Sequence, residues 1–260
     1  MDTCRLLRAL VVAALVNALA GFAPASAIAA DAVQMKVGVG QKMEATLYKP
    51  AGAGPFPAVL VLHTSSGLRP ADHNYARKLA DEGYVCLVPD FFQAYDLNEN
   101  TRDRTFTTHA ESIFADFVSA IDTLRKTEGV RPDRIGAVGF SNGGYWALLL
   151  AAKGQIQAGV SYYGAVTGAG TDRSLTVFEK AFTAGSSPVL VLHGAQDKTV
   201  TANNAEYLVS MLKKVKAPHE FQLYSSAGHS YERGKLDSAA AADSWERTLR
   251  FLDANLKKKR

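Results

Sequence analysis

Apolar positions along the chain follow two rhythms. Residues 57–63, 84–88, 135–140, 158–163 and 188–193 are short, nearly continuous apolar runs. Continuous rather than alternating runs predict strands buried on both faces, as in a parallel sheet. Between them, apolar residues recur at helical spacing. Tyr75, Ala76, Leu79 and Ala80 share one face, with Gly83 as a stop. Ile113, Phe114, Phe117, Val118, Ile121 and Leu124 form a stripe closed by Gly129. Residues 145–152 continue from a glycine-rich turn, Thr201 is placed to cap a helix carrying Ala205, Leu208, Val209 and Leu212, and Trp245, Leu249, Leu252 and Leu256 mark a final amphipathic helix. Val33–Val37 and Glu44–Tyr48 alternate instead, predicting a hairpin around Gly38 and Gly40, and Phe221–Tyr224 reads as a last strand. This order predicts a doubly wound α/β fold with a mostly parallel sheet flanked by helices. Stretches 91–108 and 166–187 lack a clear period. Both follow strands, where open α/β sheets bind ligands, so they are candidate pocket walls as well as ordinary surface loops.

The first residues do not belong to that pattern. Residues 1–8 carry two Arg and one Asp, an apolar run follows, and small residues close the segment at Ala27-Ile28-Ala29. This is the order of a secretory signal, with the apolar run short for a bilayer-spanning helix. Cleavage after Ala29 is expected, leaving residues 30–260 as one domain, periplasmic in a bacterium and with no stable membrane insertion. Cys4 leaves with the signal, so Cys86 becomes a lone cysteine inside an apolar run and no internal disulfide is expected. The formal charge of +4 comes largely from Lys257-Lys258-Lys259-Arg260, which gives no footprint for nucleic acid.

The candidate chemistry starts at Gly139-Phe140-Ser141-Asn142-Gly143. This is G-x-S-x-G in its required context of strand, sharp turn and helix. Such a turn exposes a serine hydroxyl above the sheet and aims a helix N-terminus at it. The blander alternative is a glycine-rich turn in which Ser141 only caps the helix. A serine hydroxyl needs a base, and the base needs an orienting acid. On such sheets the expected chain order is Ser, then acid, then His. Asp197 lies shortly past the strand at 188–193, and His229 shortly past Phe221–Tyr224. Ser141, Asp197 and His229 are therefore the candidate catalytic residues. The backbone N–H groups of Asn142 and of Ser65, on the loop after the strand ending at His63, are the candidate oxyanion donors. His63 is read as shaping that loop; His73, His109, His193 and His219 are read as surface or satisfied core residues. His63, His193 and His229 form no tight metal-ligand spacing, so no metal is expected.

The segments VLHTSSGL, LVPDFF, GFSNGG, SYYG, HGAQD and AGHSYER resemble the dienelactone hydrolase family of α/β hydrolases, from about Ala58 to Leu256. The resemblance implies an α/β-hydrolase fold without a large cap, no cofactor, and small esters or lactones as substrates. The family's founding enzymes use a cysteine nucleophile where this chain has Ser141, a glutamate where it has Thr64, and two arginines that bind a substrate carboxylate. Arg233 matches one arginine; near Ala94 the other is missing, which weighs against dienelactone itself as substrate. Phe92, Tyr145 and Tyr163 are candidate substrate-lining aromatics, together with Phe91, Tyr95 and Tyr231. A peptidase or amidase using the same three residues, and a binding protein on a hydrolase fold, are the alternatives.

Overall fold

A computed structural model describes residues 33–38, 43–166, 173–233 and 238–257. The expected signal segment and the predicted turn around Gly40 lie outside the described residues.

Among the described residues eight strands form one sheet: β1 (Val33–Val37), β2 (Met43–Tyr48), β3 (Phe56–Leu62), β4 (Val85–Pro89), β5 (Val130–Phe140), β6 (Ala158–Tyr162), β7 (Val189–Gly194) and β8 (His219–Tyr224). Their spatial order is β1-β2-β4-β3-β5-β6-β7-β8. β1 with β2 and β2 with β4 are antiparallel, and all other pairs are parallel. The continuous apolar runs are the central parallel strands, and they are buried on both faces as their composition requires.

The helices are α1 (Pro70–Asp81), a single turn α2 (Phe91–Ala94), α3 (Ala110–Lys126), α4 (Asn142–Ala152), α5 (Arg173–Ala181), α6 (Asn203–Lys214) and α7 (Ser238–Leu252). One face of the sheet is covered around Phe117, Trp146, Phe178 and Leu208, from α3, α4, α5 and α6. The other face is covered around Leu79, Ala80, Phe251 and Leu256, from α1, α7 and the turn after it. The fold is an α/β-hydrolase fold.

Local departures from the expected pattern have physical reasons. β5 begins at Val130, although Arg131-Pro132-Asp133-Arg134 breaks its apolar run, because Phe56 of β3 pairs with Val130 before the register shifts. Ala202, not Thr201, is the N-cap of α6; Thr201 instead accepts from the Asn204 backbone N–H through its carbonyl at 2.9 Å. The weakly patterned stretch 166–187 contains α5, which buries Phe178 completely and most of Ala181. The stretch 91–108 contains α2 and a 3₁₀ turn, Arg102–Thr105.

Candidate active site

Ser141 stands between β5 and α4, with φ 51° and ψ −109°. A serine at positive φ is costly and persists only where its surroundings over-determine it. Two glycines supply that constraint. A Cβ on Gly139 would lie 2.0 Å from the Gly143 carbonyl oxygen, and one on Gly143 would lie 2.2 Å from the Leu62 carbonyl oxygen. Strand and helix therefore approach more closely than any side chain allows. The Ser141 N–H donates to the Tyr162 carbonyl at 3.0 Å, and the Gly143 N–H to the His63 carbonyl at 3.1 Å. Although Ser141 occupies the N-cap position, its side chain makes no capping hydrogen bond. The reading of Ser141 as a mere helix cap does not survive that geometry.

Asp197 follows β7 and His229 follows β8, both at the carboxyl edge that carries Ser141. His229 Nδ1 is 2.7 Å from Asp197 Oδ2. The other carboxylate oxygen accepts from the backbone N–H groups of Thr199 at 2.8 Å and Val200 at 2.9 Å. Burial works against the ionised Asp197, but the His229 bond and the two backbone donors outweigh it and hold the carboxyl below the usual range. A carboxylate only accepts, so a neutral His229 carries its proton on Nδ1 and leaves Nε2 free as a base. The Tyr163 ring packs against the imidazole at 4.4 Å between centroids. No hydrogen bond joins Ser141 to His229 among the described residues, and such bonds commonly tighten only when substrate binds.

Asn142 is the first residue of α4, so its N–H has no partner within the helix. Ser65 lies on the loop after β3, held close to that N-terminus by the Gly143–His63 bond. His63 is fully buried, its ring stacked 4.0 Å from Phe91, with Nδ1 2.7 Å from the Thr64 carbonyl. Burial pushes its pKa down to about 4, against the opposing pull of the Thr64 carbonyl and Asp90. The neutral ring donates from Nδ1, because a carbonyl only accepts, and so pins the start of the loop. His193 is buried too, with Nε2 2.8 Å from the Val200 carbonyl, and supports the Asp197 turn.

The remaining candidates are distributed differently. Arg233 reaches Glu232 at 3.2 Å and Asp72 at 3.8 Å. It lines a groove of about 510 Å³ between α1 and α7, with Tyr75, Lys78, Phe140, Tyr162 and Trp245; Ser141 and His229 do not line it. Phe92 is buried against His63 and Phe91. Tyr145 is buried among Phe106, Trp146 and Phe178. Tyr163, at φ 39°, is the one that touches His229. Phe91 and Tyr231 are fully buried, while Tyr95 is partly buried and donates to Asp116 at 2.7 Å. Sequence reasoning missed the Glu232–Asp72 surroundings of Arg233 and the side chain of Asn142, whose Nδ2 donates to Thr105 Oγ1 at 2.9 Å. Cys86 is free and buried in β4, and burial pushes its thiol pKa well up. Among the described residues no three His, Cys, Asp or Glu side chains gather as a metal site, and no helix is long and apolar enough to cross a membrane.

Known proteins are similar to this chain in sequence and fold. A Rhodococcus opacus protein described as carboxymethylenebutenolidase is 28% identical over 220 residues, covering 81% of this chain and 86% of its own length. Esterase 2 of Thermogutta terrifontis, solved with propionate bound, superposes with a TM-score of 0.71 at 20% identity, covering 88% of this chain and 97% of that one. An acylaminoacyl peptidase from Pyrococcus horikoshii shares the fold with a TM-score of 0.73 at 14% identity; this chain is covered over 88% of its length and that one over 42%. The profile of the dienelactone hydrolase family matches residues 43–256, and with that span the chain belongs to the dienelactone hydrolase family, as a hydrolase of the dienelactone hydrolase and esterase-like kind.

Proposed function

We propose that this protein is an exported serine hydrolase that cleaves small carboxylic esters or lactones through Ser141, His229 and Asp197. The observation that carries the reading is the backbone of Ser141, a serine held at φ 51° with its hydroxyl uncommitted to the helix it precedes. The Ser141 hydroxyl attacks the carbonyl carbon as His229 Nε2 takes its proton. Asp197 stabilises the resulting imidazolium through its bond to Nδ1. The backbone N–H groups of Ser65 and Asn142 receive the carbonyl oxygen as it gains charge, aided by the positive end of α4. The tetrahedral intermediate expels the alcohol, which takes the proton from His229. Water then repeats the attack on the acyl-enzyme, with His229 as base.

A relative described as a carboxymethylenebutenolidase supports a lactone or ester substrate. Arg233 is already engaged with Glu232 and near Asp72, so uncharged esters suit this site better than substrates that need a carboxylate clamp. Export is proposed from the charged, apolar and small-residue order of residues 1–29.

Intact mass after a fluorophosphonate, wild type beside Ser141→Ala, tests the mechanism. One adduct on wild type and none on the variant is expected, followed by turnover on an ester and lactone panel in preference to peptide amides. A folded wild type without an adduct, or an equal adduct on Ser141→Ala, refutes it.

A further inference from the structure

The carboxamide of Asn142 is completely buried at the head of α4, and every one of its polar hydrogens and its oxygen has a partner. Trp146 Nε1 only donates, so the oxygen of Asn142 must face it, at 3.1 Å. That leaves Nδ2 to donate twice, to Thr105 Oγ1 at 2.9 Å and to Ser65 Oγ at 3.4 Å. Thr105 spends its own proton on the Arg102 carbonyl at 2.7 Å, so its oxygen is free to accept. One side chain thus joins three segments far apart in sequence: the loop after β3, the 3₁₀ turn at 102–105, and the first turn of α4.

We propose that the Asn142 side chain is a positioning residue, which clamps the Ser65 loop and the 102–105 turn to the nucleophile helix and so sets where the Ser65 N–H points. The proposal rests on the reading of Ser141 as nucleophile. The loop has two attachments to the head of α4: the backbone bond from Gly143 to His63, and the side-chain bond from Asn142 to Ser65. Only the second acts at Ser65 itself. Oxyanion stabilisation depends on a donor aimed at where charge develops, so loosening this attachment weakens the transition state more than substrate binding.

The test is steady-state hydrolysis of p-nitrophenyl acetate by Asn142→Ala, Ser65→Ala, their double variant and Thr105→Val, with thermal melts alongside. Asn142→Ala is expected to lower kcat about 10- to 100-fold with KM changed less than about threefold. Ser65→Ala keeps its N–H and is expected to lower kcat several-fold. Because both remove one link, the double variant is expected to lie within about twofold of Asn142→Ala. Thr105→Val, which leaves the carboxamide and Ser65 in place, is expected to lower kcat several-fold and keeps the proposal testable if Asn142→Ala does not fold. Wild-type kcat in Asn142→Ala or Thr105→Val, or multiplying losses in the double variant, overturns the clamp. A purely structural Asn142 would lower the melting temperature and leave kcat alone. If folded wild type takes no fluorophosphonate, the nucleophile reading has failed; if wild type is labelled and the variants keep kcat, only the clamp has.

Discussion

Replacing Gly143 by alanine adds one carbon where the nucleophile helix meets β3 most tightly. That carbon would sit 2.2 Å from the Leu62 carbonyl oxygen, 2.6 Å from its carbon and 2.7 Å from the His63 carbonyl oxygen. All three are backbone atoms of a central strand and its exit, so no side chain can rotate away. Ordinary contact demands a separation of about 3.4 Å or more, so α4 must retreat from β3 by about 1 Å. The retreat breaks the 3.1 Å bond from the Gly143 N–H to the His63 carbonyl. Overpacking of this kind costs about 1–3 kcal/mol, and the lost bond adds about 1 kcal/mol. Gly143→Ala is therefore expected to lose about 2–4 kcal/mol in urea unfolding. The activity loss should be larger than stability alone explains, because a displacement of about 1 Å at the reacting atoms costs about 100-fold. Second-order rates of fluorophosphonate labelling, measured at a temperature where the variant is fully folded, report it directly. A variant that matches wild type in both unfolding and labelling would show that the elbow is not as tight as its geometry states.

Two further outcomes are expected. Burial raises the Asp72 pKa to about 6, against the opposing pull of the Arg69 N–H and Arg233. The unfolded chain releases that proton in the ordinary aspartate range, so between about pH 4 and 6 Asp72 binds more protons folded than unfolded and its own contribution to stability falls as pH rises, while His63, with its lowered pKa, contributes in the opposite direction. Asp72→Asn is expected to remove that contribution, so that the variant gains about 3 kcal/mol relative to wild type as pH rises from about 4 to 7, whatever His63 and Glu232 add in both proteins; the same pH dependence of urea unfolding in the two proteins between about pH 4.5 and 7.5 would exclude it. Tyr162 is buried and its hydroxyl meets Tyr75 at 3.0 Å, the Ser244 carbonyl at 3.0 Å and Thr248 at 2.8 Å. Tyr162→Phe is expected to cost about 1–3 kcal/mol by unfolding while kcat stays within about twofold, and a large kcat loss in a stable variant would contradict the assignment of this cluster to stability.

The parallel strands and the Ser141, Asp197 and His229 positions were legible because their signals are local. A continuous apolar run, a glycine on either side of a serine, and an acid or histidine just past a strand can all be read within a few residues. The polar half of β5 and the first residues of β8 were not legible, since Arg131, Asp133, His219 and Glu220 give no apolar signature; His219 and Glu220 pair because β7 supplies the ladder, and 131–134 fall in the register shift between the Phe56–Val130 and Ala58–Ile135 pairs. α5 was hidden for a related reason: of its residues, Phe178 meets the core while Val177 and Glu179 face outward, too short a stripe to stand out. The clamp on Asn142 was invisible because its partners, Thr105 and Ser65, lie 37 and 77 residues away. A polar side chain in an otherwise apolar helix, four residues before a tryptophan, was the one available sign. Likewise, nothing near Arg233 in the chain announces Asp72, which reaches it from α1 on the opposite end of the sequence.

In the proposed mechanism the nucleophile and its base sit on parts of the sheet with unequal protection. β5 is central, with β3 on one side and β6 on the other, whereas β8 is an edge strand joined to β7 alone among the described strands and mostly half-buried along its length. Edge elements with few buried contacts open locally at a fraction of the global unfolding free energy. Fraying of β8 carries His229 away from Asp197 while Ser141 remains fixed in its elbow. On that mechanism the proton path has a weak hinge and the nucleophile a strong one, so gentle destabilisation is expected to silence turnover in a molecule still folded at its centre.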